Sequence, residues 1–300
     1  MSVDSEISRE KGRPDTFSEQ ESHVQKIIRV DNGSRRVDAV LNLNRLAGQL
    51  GQKSGRSIDA VPLQHAHKIP PGDLAEALGG KPVVTFPEYV EVALKGGLDE
   101  LVIVPLFFGH SRAISSFIPD TLNTLQKAHG KFKWSIADVL CPLPQGEPQL
   151  ARLLYDNLER LAVTPLTKLD YIILVDHGSP SRKVTDVRIK LAGQLSPYLP
   201  EQVPLLQAAM ERREGPEYDF SGPLLEDLLE KLARENDVLN VAVSMLFISP
   251  GRHAGPGGDI AGICGQVMQH YPGLTVHISP LVGDNPLLIE LLFRRLQAVL

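Results

Sequence analysis

Three side chains carry the chemistry that stands out in this sequence: His177, Glu211 and His253. His177 follows the apolar run Tyr171–Val175 within Asp176–His177–Gly178–Ser179. His253 closes Pro250–Gly251–Arg252–His253 after the run Val241–Ile248, and Glu211 lies just beyond the run Val203–Ala209. Two imidazoles and a carboxylate suit a borderline divalent metal that keeps open coordination positions. The same groups accept protons near neutral pH. One histidine at a strand end is more often a turn residue. Two at matching strand ends, beside the glycine-rich Ala254–Asp259 loop, make a candidate site.

The elements that must position them follow from the pattern. The apolar runs lack alternation, as strands buried on both faces do, and they alternate with helix-like stretches such as Leu224, Leu225, Leu228, Leu229 and Leu232. That rhythm predicts a parallel sheet, with ligands bound beyond the carboxyl ends of its strands. The chain also repeats itself. Residues 27–50 and 172–195 are identical at 11 of 24 positions without a gap. Three further matches keep the same order: Val61–Gln64 with Val203–Gln207, Leu106–Arg112 with Leu246–Arg252, and Cys141–Pro148 with Ser279–Pro286. The expected architecture is α/β: two tandem lobes, each a small doubly wound parallel sheet flanked by helices. The expected boundaries are a disordered tail over 1–22, an N-terminal lobe over 23–162 and a C-terminal lobe over 163–300.

Comparing the halves locates the chemistry. Asn32 stands where the second half has His177, Ala113 where it has His253, and Lys68 is the looser counterpart of Glu211. The N-terminal lobe is thus expected to be degenerate and the C-terminal lobe to carry the site. His65 and His67 are expected on one face of a strand near the rim, and they and His110 are secondary candidates. Cys264 reads as a packing residue, and the solitary Trp134 says little.

Composition excludes other classes. A net charge of −5 argues against a nucleic-acid partner. Two cysteines among 300 residues cannot form a disulfide scaffold or a four-thiolate zinc site. The longest apolar run, Leu101–Phe108, is far short of the roughly 20 residues of a membrane helix. Residues 1–22 hold six acids and three basic residues, unlike a signal or transit peptide. A soluble, cytoplasmic protein is expected, without a membrane or nucleic-acid partner and either monomeric or homodimeric.

The strand–His–Gly–Ser turn, the strand–Pro–Gly–Arg–His turn and the closing Pro-Leu motif resemble the class II tetrapyrrole chelatases, in particular the sirohydrochlorin cobalto- and ferrochelatases of the CbiX/SirB type, in a long duplicated form. The resemblance runs from about residue 24 to the end, and it implies two flavodoxin-like (chelatase-like) lobes facing each other across a cleft that holds the macrocycle. It implies a lyase that inserts Co²⁺ or Fe²⁺ into sirohydrochlorin or a related tetrapyrrole, in cobalamin or siroheme biosynthesis, with the metal as substrate and no organic cofactor. It implies that His177, His253 and Glu211 are the metal-handling and catalytic residues. Ser179, Arg252, Gly255, Gly257, Gly258 and, from the first lobe, Arg112 are the candidates for holding the carboxylate-rich macrocycle, with Arg182, Lys183, Arg212 and Arg213 as further donors and with Lys68 and the Phe108–Gly109 loop expected to face it from the first lobe. Departures after the His-Gly-Ser turn, at Pro180–Lys183, keep open a non-catalytic tetrapyrrole- or metal-binding protein on the same fold.

Overall fold

Eight strands form two separate parallel sheets in the computed structural model, which describes residues 23–75, 78 and 83–300. The expected tail over 1–22 lies outside the described residues. The first half runs β1 (Gln25–Asp31), α1 (Val37–Ser54), β2 (Ile58–Pro62), α2 (Pro71–Ala75), α3 (Phe86–Lys95), β3 (Glu100–Pro105), α4 (Ile118–His129), β4 (Lys133–Ile136) and α5 (Pro148–Glu159). The second half runs β5 (Tyr171–Asp176), α6 (Arg182–Leu195), β6 (Leu205–Ala209), α7 (Leu225–Glu235), β7 (Leu239–Met245), α8 (Asp259–His270), β8 (Leu274–Ile278) and α9 (Leu287–Gln297). The sheet orders, β2-β1-β3-β4 and β6-β5-β7-β8, are the same arrangement twice. The central strands are apolar throughout because helices cover both faces: Ile172, Ile173, Leu174 and Val175 are all fully buried.

Strand register corrects two sequence matches. Asp31 pairs with Pro62 and Asp176 with Ala209, so Pro62 corresponds to Ala209 and the Val61–Gln64 match to Val203–Gln207 is coincidental. The counterpart of Glu211 is therefore Gln64, not Lys68. The hydrogen bonds say the same: Leu63 N–H donates to the Asp31 carbonyl as Met210 N–H does to that of Asp176. At the closing motif, Ala137 N–H donates to Ile103 and Ser279 N–H to Val243, so Ala137 rather than Cys141 stands opposite Ser279. The first lobe has extra residues between that point and its last helix.

The last helix of each half crosses to the other sheet. α5 packs on α6, α9 and β7, whereas α9 packs on α1 and β3. One core therefore spans both halves, from Leu43, Leu46 and Leu50 of α1 through Leu150 and Leu154 of α5 to Leu288 and Leu292 of α9. Two smaller cores fill the outer faces of the individual lobes. Polar ties fix the exchange. The buried Glu147, ahead of α5, accepts hydrogen bonds from Arg294 and Arg295 of α9 at 3.2 and 2.6 Å. Asn157 of α5, fully buried, donates to the carbonyls of Pro280 and Leu281. Buried polar groups that lose such partners cost about 1–3 kcal/mol each, so these contacts specify the crossing.

Candidate active site

The chain leaves β5 at Asp176 and turns sharply through Gly178, whose φ of +87° favours glycine. A Cβ at Gly178 would lie 1.9 Å from the Glu211 carbonyl oxygen, so only glycine lets the loops after β5 and β6 touch. Glu211 N–H donates to the His177 carbonyl at 3.1 Å. Their side chains meet as a result, with His177 Nε2 3.4 Å from Glu211 Oε1.

His253 arrives from the loop after β7. Its ring centroid is 4.5 Å from that of His177, and the rings are nearly perpendicular at 83°. His253 Nδ1 lies 2.6 Å from Asp259 Oδ2, the first residue of α8. Donation from Nδ1–H to that carboxylate sets the tautomer that leaves Nε2 as the lone-pair nitrogen. Asp259 is a functional candidate that sequence reasoning treated only as the end of a loop. Its spacing of six residues after His253, at a helix start, was the available signal. Among the described residues, no three His, Cys, Asp or Glu side chains close around a single point. His177 instead has Glu211 on one side and His253 on the other.

The rings open onto a cavity of about 930 Å³ between the lobes. Its wall is apolar at Leu106, Phe107, Phe108, Leu246, Phe247 and Ile248, and Arg252 also lines it. Glu211 does not line this cavity. It faces a lateral pocket of about 380 Å³ together with His177, Ser179, Arg212 and Arg213. Gly255, Gly257 and Gly258 build the His253 loop rather than line either space. The first two have φ of +97° and +72°, and a Cβ at Gly258 would lie 2.9 Å from the Ala254 nitrogen. The first N–H groups of α8 are already taken: Asp259 donates to the Arg252 carbonyl and Ile260 to that of His253. The α8 N-terminus is thus a clamp on the loop, not an open anion site.

On the opposite wall, the expected basic residues are exchanged for others. Arg112 and Lys68 do not line the cavity; Arg35 and Arg36 do, together with Asn32, Gly109 and Ser111. His65 also lines it, with a φ of +67° that is unusual for a side-chain-bearing residue. The expectation that His65 and His67 share a strand face fails because β2 ends at Pro62 and both fall at a short 3₁₀ turn. His110 points to Asp138 at 3.2 Å. Arg182 stacks over Phe220, and Arg212 is engaged by the Gly222 carbonyl at 3.1 Å. Burial pushes the Cys264 thiol up to about 12, in keeping with packing rather than ligation.

Beneath the site, Asp176 is clasped by the buried Arg188 of α6, which also donates to the carbonyls of Ala208 and Ser221. Burial raises the Asp176 carboxyl above its ordinary range, with Arg188 opposing that shift. Asp31, its counterpart in the first lobe, is pushed up to about 6 by burial.

Comparison with known proteins agrees with this fold. Residues 171–299 match the family model CbiX. A search of curated protein sequences found no significant match. The fold is similar to that of SirB from Bacillus subtilis with Fe³⁺, at a TM-score of 0.67 and 14% identity, over 91% of this chain and 94% of that one. It is similar to SirB from Bacillus subtilis subspecies spizizenii in complex with cobalt, at a TM-score of 0.62 and 13% identity over the same shares. CbiX, described as the terminal enzyme for biosynthesis of siroheme in denitrifying bacteria, matches at a TM-score of 0.55 and 16% identity, over 92% of this chain and 99% of that one. Residues 171–299 thus match the CbiX family model, and the chain as a whole has the two-lobed α/β fold seen in the SirB and CbiX structures.

Proposed function

We propose that the protein is a metal chelatase that inserts a divalent ion, Co²⁺ or Fe²⁺, into sirohydrochlorin or a related tetrapyrrole, serving cobalamin or siroheme biosynthesis. The observation that carries this reading is the perpendicular pair His177–His253 on one wall of the large apolar-walled cavity. A flat macrocycle needs two walls and an apolar slot, and the ion needs ligands that release it. Two imidazoles bind a borderline divalent ion through lone-pair nitrogens and leave positions open for incoming pyrrole nitrogens. Asp259 holds the His253 ring in register, and Glu211 beside His177 offers a carboxylate on the side away from the macrocycle. Arg252 from the C-terminal lobe and Arg35 and Arg36 from the N-terminal lobe are placed to meet peripheral carboxylates of the macrocycle.

In this reading the lobes are residues 23–162 and 163–300, with the second carrying the metal chemistry and the first serving as the opposite wall. The protein acts in the cytoplasm as a monomer or homodimer. No helix among the described residues is long and apolar enough to cross a membrane. An anaerobic assay of the purified protein with sirohydrochlorin and Co²⁺ or Fe²⁺, followed by absorbance, tests the proposal. Metal-dependent conversion of the free-base spectrum supports it. Tight macrocycle binding without conversion by either ion would favour the non-catalytic reading, which the lack of a closed three-ligand group among the described residues also suits.

A further inference from the structure

The two lobes handle the same aspartate in opposite ways. In the C-terminal lobe, position 188 of α6 is an arginine clasping Asp176, and position 174 of β5 is Leu. In the N-terminal lobe the equivalent positions are reversed: Leu43 on α1 and Arg29 on β1. Arg29 is fully buried, and among the described residues none of its three guanidine nitrogens has a hydrogen-bond partner. It lies two residues before Asp31 on the same strand face and contributes positive charge without a hydrogen bond. The Asp31 side chain is held by backbone alone, with Gly33 N–H donating to Oδ1 at 2.9 Å. Asp31 also lines the inter-lobe cavity, on the wall that belongs to the lobe without the histidine pair.

We propose that Asp31 is a catalytic proton acceptor, taking a pyrrole N–H proton from the macrocycle at the N-terminal wall while His177 and His253 deliver the ion from the C-terminal wall. This rests on the chelatase reading above. Insertion of a divalent ion breaks two N–H bonds. Each electron pair stays on its nitrogen and becomes a bond to the metal. One proton passes to an Asp31 carboxylate oxygen, and the other to an imidazole once it has released the ion. An imidazole that holds the metal cannot take a proton at the same nitrogen, so a base on the other wall separates the two tasks. Burial also holds the Asp31 carboxyl near 6, close to the working range of a general base.

The test uses the full chain with Co²⁺ and sirohydrochlorin under anaerobic conditions. Asp31→Asn keeps the Oδ1 acceptor for Gly33, and kcat is expected to fall roughly 100-fold. KM for Co²⁺ and the dissociation constant of sirohydrochlorin should each stay within about twofold. Asp31→Ala should be equally slow and should recover activity on addition of formate, which a merely structural role would not produce. The exchange Arg29→Leu with Leu43→Arg, which copies the C-terminal arrangement and occupies the carboxylate, should also lower kcat at unchanged KM. Unchanged kcat in Asp31→Asn would overturn the proposal, and so would a fall in kcat matched by a rise in the KM for Co²⁺, which would make Asp31 a metal ligand. A wild-type protein that inserts neither metal would defeat the chelatase reading itself, and the proposal with it. That outcome is distinguishable from an active wild type with indifferent Asp31 variants.

Discussion

Asn42 and Ser249 tie the lobes together through one hydrogen bond, from Asn42 Nδ2 on α1 to Ser249 Oγ at 2.7 Å. At the equivalent positions stand Val187 on α6 and Gly109 after β3, where a Cβ on Gly109 would come within 2.6 Å of Val187 Cγ2. Each lobe's first helix thus lies on the loop that follows the third strand of the other lobe. With the crossing of α5 and α9, this gives the molecule a pseudo-two-fold axis through the cleft.

Residues 163–300 expressed alone should therefore dimerise. The fragment lacks α5, which covers α6 and β7, and its α9 loses α1 and β3. A second copy can supply both needs, because its α9 can take the place of α5 through the same two-fold relation. Mass in solution checks this. A folded, monomeric fragment with full insertion activity would contradict the two-walled cleft.

Asp259→Asn should weaken metal binding by about 10- to 100-fold while leaving the fold intact, because it acts through the His253 ring. Metal titration of the apo protein reads the affinity. A loss of macrocycle affinity with unchanged metal affinity would assign Asp259 a different task.

Asp31 also gives a pH-dependent stability effect with a definite sign. A carboxyl whose folded value rises from 3.8 to about 6 binds its proton more tightly in the folded state, so its contribution to stability falls as pH rises between about 4 and 6. The cost of ionisation at pH 7.5 is about 3 kcal/mol. Asp31→Asn should thus melt several degrees above wild type at pH 7.5 and close to wild type at pH 4.5. An equal difference at both pH values would mean that Asp31 is ionised freely in the fold.

The sequence made the duplication, both parallel sheets and the two histidine turns legible, because each rests on local patterns. The ungapped match of residues 27–50 with 172–195 holds, and the strand runs hold to within three residues: β6 starts at Leu205 and β7 ends at Met245. What escaped depends on register or on distance. Gln64 is hidden as the counterpart of Glu211 because a short Val-Pro-Leu match outweighs a ladder that only the fold displays. The exchange of α5 and α9 is a choice between two equally apolar faces, and periodicity does not say which sheet a helix covers. The replacement of Arg112 and Lys68 by Arg35 and Arg36 at the cavity follows from loop paths that no spacing rule predicts.

Handling of the metal ion is assigned to the C-terminal lobe, at His177 and His253. That assignment is tested most directly by anaerobic insertion rates with sirohydrochlorin and Co²⁺, measured side by side for the wild type, His177→Ala, His253→Ala and Asn32→Ala. The account predicts an active wild type, near-complete loss in both histidine variants without loss of folding, and most of the activity retained in Asn32→Ala. Asn32→Ala as damaging as His177→Ala, or full activity without His253, would contradict it.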